Sequence, residues 1–539
     1  MSASRAAFVA DTDPGAPVLS AVPAWAGALS GLLAALGGLA AAELFAGLWE
    51  RWRSPVVAVG DRVVDVVPAP VKDWAIRTFG TSDKVVLITC TLVILAVASA
   101  VVGVAAVRGR RRGALVAVAV FAALGALASL GRGSSGPLAV VPSIVAGLVT
   151  ATLLMFLAQR ARAMVVDPDA AGVVDDRVVS MRALQAGSRR RFLGVAAGVG
   201  VASVAVGGLG RWLQQQAAVT VERLKVVLPR PVSPAPPVPA TVSVDVEGVS
   251  PFITPTSEFY RIDTALVVPQ VDTATWSLSV GGYVDRPLTL NYADLLARPM
   301  IERAATIACV SNEVGGDLIG TAMWLGCRLD DLLAEAGIQT RADQVVGVSV
   351  DGFTAGFPTA LLDGRDAMVV VAMNGEPLTA KHGFPARLIV PGVYGYVSAT
   401  KWLSEIRLSR FDELEGYWIP RGWAAEAPIK TQSRIDVPRN GAQVEAGTPT
   451  AIAGVAWAML RAVTKVEVQV DDGPWQDADL GQEYAATTWR QWKLAWTPTP
   501  GDHTIRVRAT DSAGVTQTEV VTDVAPDGAT GWHAVRVSA

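Results

Sequence analysis

Histidine and cysteine are both scarce in this chain of 539 residues, with three of each. The cysteines are Cys90, Cys309 and Cys327, and the histidines are His382, His503 and His533. Three widely spaced cysteines are too few for a disulfide framework or a cysteine-rich zinc site. All three histidines lie in the last third of the chain, and the apolar N-terminal segments contain none. Because a haem held between helices normally needs histidine ligands, a haem cytochrome is not expected.

Charged residues are also few, at 18% of the chain, whereas apolar residues make up 51% and the formal net charge is −3. A nucleic-acid-binding protein needs a concentrated basic face, so no nucleic-acid partner is expected. The length exceeds what a single hydrophobic core usually organises, which predicts several domains. The apolar composition is typical of a protein with membrane-spanning segments.

Five stretches in the first 213 residues are long and apolar enough to cross a bilayer, which takes about 20 residues. They run from Ala26 to Trp49, Val85 to Val107, Ala114 to Leu130, Leu138 to Ala158, and Phe192 to Leu213. Arginines cluster at 108–112 and 160–191, and basic residues collect on the cytoplasmic side of membrane proteins. This pattern predicts a multi-pass protein of the plasma membrane, with the bilayer as a partner. Its amino terminus is expected in the cytoplasm, and the chain after the fifth span outside it.

The fifth span is preceded by SRRRFLG, Ser188 to Gly194. This segment resembles the twin-arginine export signal, in which S-R-R-x-F-L stands before a weakly apolar stretch. The alternative is a plain run of positive charge before a membrane helix. The resemblance implies the twin-arginine translocase as a partner, and export of a domain that has already folded and taken up its cofactor.

Three further regions follow the predicted membrane helices. Residues 214–244 contain LPRPVSPAPPVPAT, which favours an extended polyproline spacer. From 245 to 431, short strands such as TWSLSVGG alternate with helical segments such as CRLDDLLAEAG, which predicts an α+β domain. From 432 to 539, period-two strands are divided by Gly, Pro and Asp turns, which predicts an antiparallel β-sandwich.

Residues 304–316, AATIACVSNEVGG, form an apolar run that ends at Cys309 and a glycine-rich turn. Taken alone, Cys309 has three interpretations. It is a small buried apolar residue, it pairs with Cys327, or it is a reactive or metal-binding thiolate. The residues of this segment alone leave all three open.

Four segments together resemble the sulfite oxidase family of molybdenum enzymes. They are Cys309-Val310-Ser311-Asn312, matching C-x-x-N; FYRIDTALVVPQVD at 259–272; TAMWLGCRLDDLL at 321–333; and KHGFPARLIVPGVYGYVSATKWL at 381–403. The resemblance implies a Mo-molybdopterin cofactor whose metal is bound by the thiolate of Cys309, a soft ligand suited to a redox metal. It also implies a catalytic role for Arg261 in orienting substrate or cofactor. The implied cofactor-binding residues are Asn312, His382, Arg387, Ser398 and Lys401.

The C-terminal region resembles the dimerisation domain of the same family, through segments such as KVEVQVDDGPWQDADL and GWHAVRV. This likeness implies an immunoglobulin-like fold and a homodimer. The family also sends a basic residue from this region towards the substrate, and Arg490 occupies the corresponding place. The expected fold is therefore a multi-domain chain: a five-helix membrane region, an α+β sulfite-oxidase-like molybdopterin domain and a C-terminal immunoglobulin-like β-sandwich.

Two departures from the family pattern affect the expected substrate. Sulfite oxidases follow the ligand-loop asparagine with arginines, whereas this chain has Glu313 and Val314, and the family's R-N-H is here Arg261-Ile262-Asp263. Carboxylates close to a sulfite dianion repel it, so sulfite is a doubtful substrate. Asp263, Glu313 and Arg490 are the candidate substrate-pocket residues.

The expected function is a membrane-anchored, extracytoplasmic oxidoreductase that transfers an oxygen atom to or from a small molecule and exchanges electrons with an unidentified partner. One alternative is a sulfoxide reductase of the methionine sulfoxide type. Another is a non-catalytic membrane scaffold or receptor.

Overall fold

The computed structural model describes residues 22–48, 52–68, 71, 74–75, 78–79, 83–130, 136–164, 181–216, 223 and 225–539. The chain divides after Gln216 into two compact units. In the first unit the helices are α1 (Ala24–Leu48), α2 (Pro55–Val66), α3 (Asp83–Val107), α4 (Arg111–Ser129), α5 (Val141–Arg162) and α6 (Met181–Gln216). A short 3-10 helix, Pro137–Val140, leads into α5.

Within the part of the chain that the structure describes, five helical segments are long and apolar enough to cross a membrane. They are Ala24–Leu48, Lys84–Val107, Arg111–Ser129, Pro137–Arg162 and Arg189–Arg211, which overlap the five predicted spans. The predicted end of the first span, Trp49, lies outside the described residues. Large apolar side chains on α3, such as Ile94 and Val101, point away from the bundle and are more than half exposed. Such outward apolar surfaces are compatible with a lipid environment.

Glycines allow α1 and α3 to pack backbone against backbone. A Cβ atom added to Gly31 would lie 1.9 Å from the carbonyl oxygen of Ser99, and one added to Gly103 would lie 2.1 Å from that of Gly27. Small residues allow such close approach between apolar helices, where van der Waals contact is a main attraction. Replacing any of these glycines would force the two helices apart.

Side-chain contacts join helix ends that the arginine distribution predicts to share one side of the membrane. Phe192 in α6 is buried against Trp25 at the start of α1, with 6.0 Å between ring centroids. The guanidinium of Arg189 lies 5.5 Å from the centre of the Trp25 ring. At the ends of α3 and α5, Arg162 donates hydrogen bonds to the carbonyls of Ala106 and Val107. The arginines and Phe192 of SRRRFLG therefore belong to a continuous helix of the bundle, while the side chain of Ser188 lies outside the described set.

The second unit begins with an α+β domain. Its strands are β1 (Ser277–Gly282), β2 (Leu288–Asn291), β3 (Met300–Ala308), β4 (Ile319–Arg328), β5 (Gln344–Ser349), β6 (Thr354–Pro358), β7 (Met368–Met373), β8 (Glu376–Pro377), β9 (Arg387–Ile389) and β10 (Leu403–Ser409). Its α-helices are α7 (Tyr292–Leu296), α8 (Leu329–Ala336) and α9 (Gly395–Ser398), and its 3-10 turns are Ala240–Val242, Thr359–Leu361, Ala380–His382 and Ile419–Arg421. One sheet has the order β2-β1-β10-β5-β6, and the other β3-β4-β7-β8 with β9 beside β7. Strands such as β7, in which every residue is buried, form the core between these layers.

The proline-rich segment, predicted as an extended spacer, is hydrogen-bonded to the domain that follows it. Val232 donates a backbone hydrogen bond to Met300, Glu302 donates one to Ser233, and Ser233 forms a parallel bridge with Ile301 on β3. The non-proline residues between the prolines thus supply the donors and acceptors that the edge strand needs. A strand edge left open would be a template for pairing with other chains, so the segment also protects β3.

The remaining strands form a β-sandwich, which confirms the predicted C-terminal fold. They are β11 (Gln432–Val437), β12 (Ala442–Gln443), β13 (Thr450–Trp457), β14 (Val463–Val470), β15 (Gln476–Asp477), β16 (Asp479–Leu480), β17 (Arg490–Trp496), β18 (Asp502–Asp511) and β19 (His533–Ser538). The two sheets have the orders β11-β13-β17-β16 and β12-β19-β18-β14-β15. Alternate residues such as Ile505 and Val507 on β18 face Ile452 and Trp492 in a buried core. This alternation is what a sheet with one buried face requires.

Candidate functional site

Cys309 is the first residue after β3, where the chain leaves the sheet in a tight loop. Its N–H donates to the carbonyl of Leu318, and its own carbonyl accepts from the N–H of Asn312. The side-chain oxygen of the buried Asn312 accepts from the N–H of Leu318 at 2.8 Å, so this asparagine closes the loop on itself. The turn that follows favours glycine at position 315, because Gly315 has φ +80°, in the left-handed region.

A cavity lies beside Cys309 within the second unit. Its empty volume, including the part open to solvent, is about 770 Å³. The predicted site residues Asp263, Cys309, His382, Arg387 and Lys401 all line it. They come from three separate segments, so the fold brings together residues up to 138 positions apart, such as Asp263 and Lys401.

One glycine allows three of these residues to converge. His382 ends the 3-10 turn Ala380–His382, which the hydroxyl of Thr379 caps by accepting from the N–H of His382. Gly383 follows with φ +105°, and a Cβ atom there would lie 3.0 Å from Cβ of Lys401 and 3.2 Å from Cβ of Arg387. The H-G sequence therefore places His382 beside the two cations, since any side chain at 383 would be strained and crowded.

Arg387 is a buried cation with spare hydrogen-bonding capacity. One terminal nitrogen donates to the carbonyl of His382 at 3.3 Å. Its Nε has no hydrogen-bond partner among the described residues, although the side chain is only 4% exposed. Burial lowers the pKa of Arg387 to about 10, so it remains charged at neutral pH. A buried guanidinium with an unmet donor is suited to an anionic group such as a phosphate.

Lys401 and His382 share this buried environment. Burial lowers the pKa of Lys401 to about 8, and it lowers that of His382 to about 4, with a further contribution from Arg387. His382 is therefore neutral at physiological pH. Its Nε2 lies 3.1 Å from the carbonyl oxygen of Thr256, to which it can donate.

Asp263 neutralises part of the positive charge at the cavity. Its Oδ2 accepts from Nζ of Lys401 at 2.8 Å and from Nε of Arg261 at 2.7 Å. Arg261 lies at the edge of the cavity and reaches it through this carboxylate, since it is not among the lining residues. Where the family pattern R-N-H ends in a basic residue, this chain has Asp263, an acidic residue that is ion-paired with Lys401 and Arg261.

Among the cavity residues that were not predicted from the sequence are Asp351 and Tyr260. Asp351, only 4% exposed, follows the buried strand β5 and accepts a hydrogen bond from the N–H of Phe353. Tyr260 stacks on Phe259 with 5.4 Å between ring centroids and faces the cavity. Burial raises the pKa of Tyr260 far above its ordinary value, so the phenol stays protonated. An aspartate and glycine directly after an apolar strand is the signal that would have indicated Asp351.

Several predicted residues lie outside the cavity lining. Ser398 is buried and donates to the carbonyls of Val393 and Tyr394. Asn312 holds the loop, and Glu313 lies in that loop away from the cavity surface. Arg490, predicted for the substrate pocket, instead donates to the carbonyls of Gly481 and Val463 within the sandwich. Its guanidinium is committed to backbone carbonyls of neighbouring strands, which corrects its expected position.

The thiol of Cys309 is not paired with Cys327, and both cysteines are free. In the β3–β4 ladder Cys327 lies opposite Met300, at the far end from Ala308, which lies opposite Ile319. The disulfide alternative is therefore excluded. Burial raises the pKa of Cys309, while hydrogen bonds from Ser311 and the charge of Lys401 act in the opposite direction.

Comparison with known proteins agrees with this geometry. Residues 265–418 match the family described as oxidoreductase molybdopterin binding domain, and residues 432–507 match the bacterial Ig domain. The mitochondrial sulfite oxidase of Mus musculus is 34% identical over 45% of this chain and 53% of its own length. The uncharacterized oxidoreductase YuiH of Bacillus subtilis is 33% identical over 31% of this chain and 82% of its own.

Among solved structures, the sulfane dehydrogenase SoxCD from Paracoccus pantotrophus aligns with a TM-score of 0.44 and 23% identity, over 50% of this chain and 75% of that one. This chain spans about half the length of the mammalian sulfite oxidases that it matches. The molybdopterin-binding domain, the Ig-like sandwich and the curated relatives lead to one assignment. The chain belongs to the sulfite oxidase family and carries an oxidoreductase molybdopterin-binding domain.

Proposed function

We propose that this protein is a membrane-anchored, extracytoplasmic enzyme that holds a molybdenum cofactor and catalyses two-electron oxygen-atom transfer on a small substrate. The observation that carries the proposal is the cavity lined by both Cys309 and Arg387, a buried arginine whose Nε has no hydrogen-bond partner among the described residues. A scaffold or receptor would have no need for a buried cation with an unused donor, since such a group is costly to bury.

The residues of the cavity fit the cofactor. Cys309 would bind the metal, and Arg387, Lys401 and His382 would hold the pterin and its phosphate. When bound, the molybdenum cofactor supplies a redox centre that exchanges two electrons. Because burial raises the pKa of Cys309, the free thiol is neutral, and metal binding must release its proton. The hydrogen bonds from Ser311 support the thiolate once it forms.

The charge balance of the cavity favours an uncharged substrate. Among the lining residues Arg387 and Lys401 are cationic, Asp263 and Asp351 are acidic and His382 is neutral. Arg261, which is paired with Asp263, adds one positive charge that a dianionic cofactor phosphate more than offsets. An anionic cofactor phosphate then makes the occupied cavity negative. An oxoanion such as sulfite would enter against this charge, whereas a neutral oxide would not.

Aromatic side chains support the same conclusion. Trp418 and Tyr396 line the cavity, and both contact Trp423, with ring centroids 6.2 and 5.8 Å away. An aromatic wall offers contact area to a compact molecule with apolar substituents. These features favour sulfoxide reduction as a second candidate function over sulfite oxidation.

The membrane location rests on the five apolar helices and the arginine distribution. In this proposal the amino terminus is cytoplasmic, the second unit is exported, and the twin-arginine translocase reads SRRRFLG before Phe192 packs against Trp25. The sandwich resembles a dimerisation domain, so a homodimer is the expected assembly. An electron-transfer partner would complete the reaction cycle.

The test is to purify the full chain from a host with working cofactor synthesis and twin-arginine export, and to measure molybdenum per chain. Activity is then assayed in both directions with artificial electron carriers, against sulfite and against neutral sulfoxides. We expect about one molybdenum per chain, its loss in Cys309→Ala, and retention in the control Cys327→Ala. A wild-type protein without molybdenum, or full occupancy in Cys309→Ala, would contradict the proposal.

A further inference from the structure

The loop that carries Cys309 is held on its outer side by the β-sandwich. Nη1 of Arg434, on β11, donates to the carbonyl of Gly316 at 2.8 Å. A Cβ atom added to Gly315 would lie 2.2 Å from Cδ2 and 2.3 Å from Nε2 of His533, on β19. The loop therefore meets one strand from each sheet of the sandwich within two residues, with no room for a larger side chain at Gly315.

Both sandwich residues are themselves fixed. Arg434 is 7% exposed, and its other nitrogens donate to Asp436 at 2.6 Å and to Ser250 at 2.7 Å. The carboxylate of Asp436 also accepts from the N–H of Ser250 at 2.8 Å. A guanidinium held at three points keeps little rotational freedom, so the position of Gly316 is defined by the sandwich rather than by the loop alone.

His533 is fixed in one tautomer. Its Nδ1 accepts a hydrogen bond from the N–H of Ile435 at 2.9 Å, so the neutral ring carries its proton on Nε2. Burial and the neighbouring Arg434 lower the pKa of His533 to about 4, in keeping with this neutral form. The imidazole ring of His533 therefore has a fixed orientation where it contacts Gly315.

The sandwich also holds the strand that enters the loop. Thr306 on β3 donates its N–H to the carbonyl of Thr487, and its hydroxyl accepts from the N–H of Trp489. The hydroxyl of Thr487 donates to the carbonyl of Ala304. Cys309 therefore lies between two points of attachment to the sandwich, Thr306 before it and Gly315-Gly316 after it.

We propose that Arg434 and His533 are positioning residues for Cys309, through which the β-sandwich fixes the orientation of the thiol towards the cavity. The inference deepens the proposed function, since it concerns the loop of the proposed metal ligand. It gives the sandwich a role within its own chain, separate from any part in dimerisation. A metal–thiolate bond is sensitive to such outer constraints because they set the direction of the sulfur lone pairs.

The test measures alkylation of each cysteine in the cofactor-free full chain, by mass spectrometry of its peptides. Cys327 is an internal reference, because it is buried in β4 and lies outside the loop. We expect His533→Ala and Arg434→Gln to accelerate alkylation of Cys309 by roughly tenfold, the effect of losing one hydrogen bond to a charged or buried group when local opening limits the reaction. Alkylation of Cys327 should not change.

Two matched variants separate positioning from general stability. His533→Asn keeps an acceptor for the N–H of Ile435 and should restore most of the protection of Cys309. His503→Ala alters the histidine of the adjacent strand β18, which bonds to Asp471 and Thr499 instead of the loop, and should leave Cys309 protected. In cofactor-loaded protein, the electron paramagnetic resonance spectrum of the half-reduced metal should change in His533→Ala and return towards wild type in His533→Asn.

Unchanged alkylation of Cys309, or equal acceleration of Cys309 and Cys327, would overturn the inference. If the variants do not fold, hydrogen exchange of the wild-type protein tests the positioning role instead. The amide of Leu318 should then be as well protected as that of Ile435, and faster exchange at Leu318 would count against the positioning role. Absence of molybdenum from the purified protein would refute the proposed function, while the alkylation result would still stand for the loop.

Discussion

Lys401 and Asp263 form a buried ion pair in the cavity wall, with 2.8 Å between Nζ and Oδ2. The family pattern has a basic residue where this chain has the aspartate. A cation that would otherwise attract an anionic substrate is thus already neutralised, and a second cation, Arg261, contacts the same carboxylate. The proposed preference for uncharged substrates depends on this pairing.

Removing the charge of Asp263 should make the cavity more attractive to oxoanions. In Asp263→Asn, Lys401 and Arg261 lose their counter-charge, and we expect sulfate or sulfite to inhibit with about tenfold lower inhibition constants, equivalent to roughly 1.4 kcal/mol. The control is Asp412→Asn. Asp412 is an exposed aspartate that is ion-paired with Arg410, the arginine two residues before it, just as Asp263 is paired with Arg261. Equal inhibition of wild type and Asp263→Asn would argue against electrostatic exclusion.

The hydroxyl of Tyr260 should donate a hydrogen bond to the oxygen of an oxide substrate. Burial raises the pKa of this phenol, which lies beside Cys309 and Arg387, so it stays protonated and acts as a hydrogen-bond donor rather than as a source of protons. Tyr260→Phe should lower turnover by about tenfold, the effect of losing one hydrogen bond to a group that gains charge. Tyr396→Phe is the control, since its hydroxyl already donates to the carbonyl of Ala424. Comparable losses in both variants would mean that the effect is structural.

Arg387 should determine whether the cofactor is retained. Arg387→Met removes the charge and the unmet donor, so we expect the purified protein to lose most of its pterin, measured by fluorescence after oxidative release. Arg387→Lys keeps the charge without the forked geometry and should retain an intermediate amount. Arg365→Met alters an arginine paired with Asp363 outside the cavity lining and should retain the wild-type amount. Full retention in Arg387→Met would remove Arg387 from the cofactor site.

His382 should make the cofactor-free protein less stable in acid. Its pKa is about 4 in the folded state and 6.5 as the ordinary value, so the unfolded chain binds more protons between these pH values. Stability contributed by His382 is therefore present above pH 6.5 and is lost as the pH falls towards 4. In His382→Gln the unfolding free energy should depend less steeply on pH in this window, and the decrease in slope should correspond to about one bound proton. An unchanged slope in denaturant titrations would show that His382 is charged in the folded protein.

The sequence allowed the helices, the domain order and much of the site to be predicted, because these depend on local patterns. Apolar length alone located the long apolar helices, and C-x-x-N with H-G-x-P-x-R identified Cys309, His382 and Arg387, which line the cavity. Asp351, Tyr260 and His533 were not anticipated, since their roles come from contacts between distant segments. The docking of the proline-rich segment on β3 was not anticipated for a related reason. Its composition indicates extension, but only the neighbouring edge of β3 shows that the extended chain is docked.

The central claim is that the sulfur of Cys309 binds molybdenum. X-ray absorption at the molybdenum edge measures it directly, by comparing the sulfur neighbours of the metal in wild-type protein and in Cys309→Ser. We expect the wild type to show one more sulfur neighbour than the variant, at a normal metal–thiolate distance. Identical sulfur coordination in the two proteins would contradict the account.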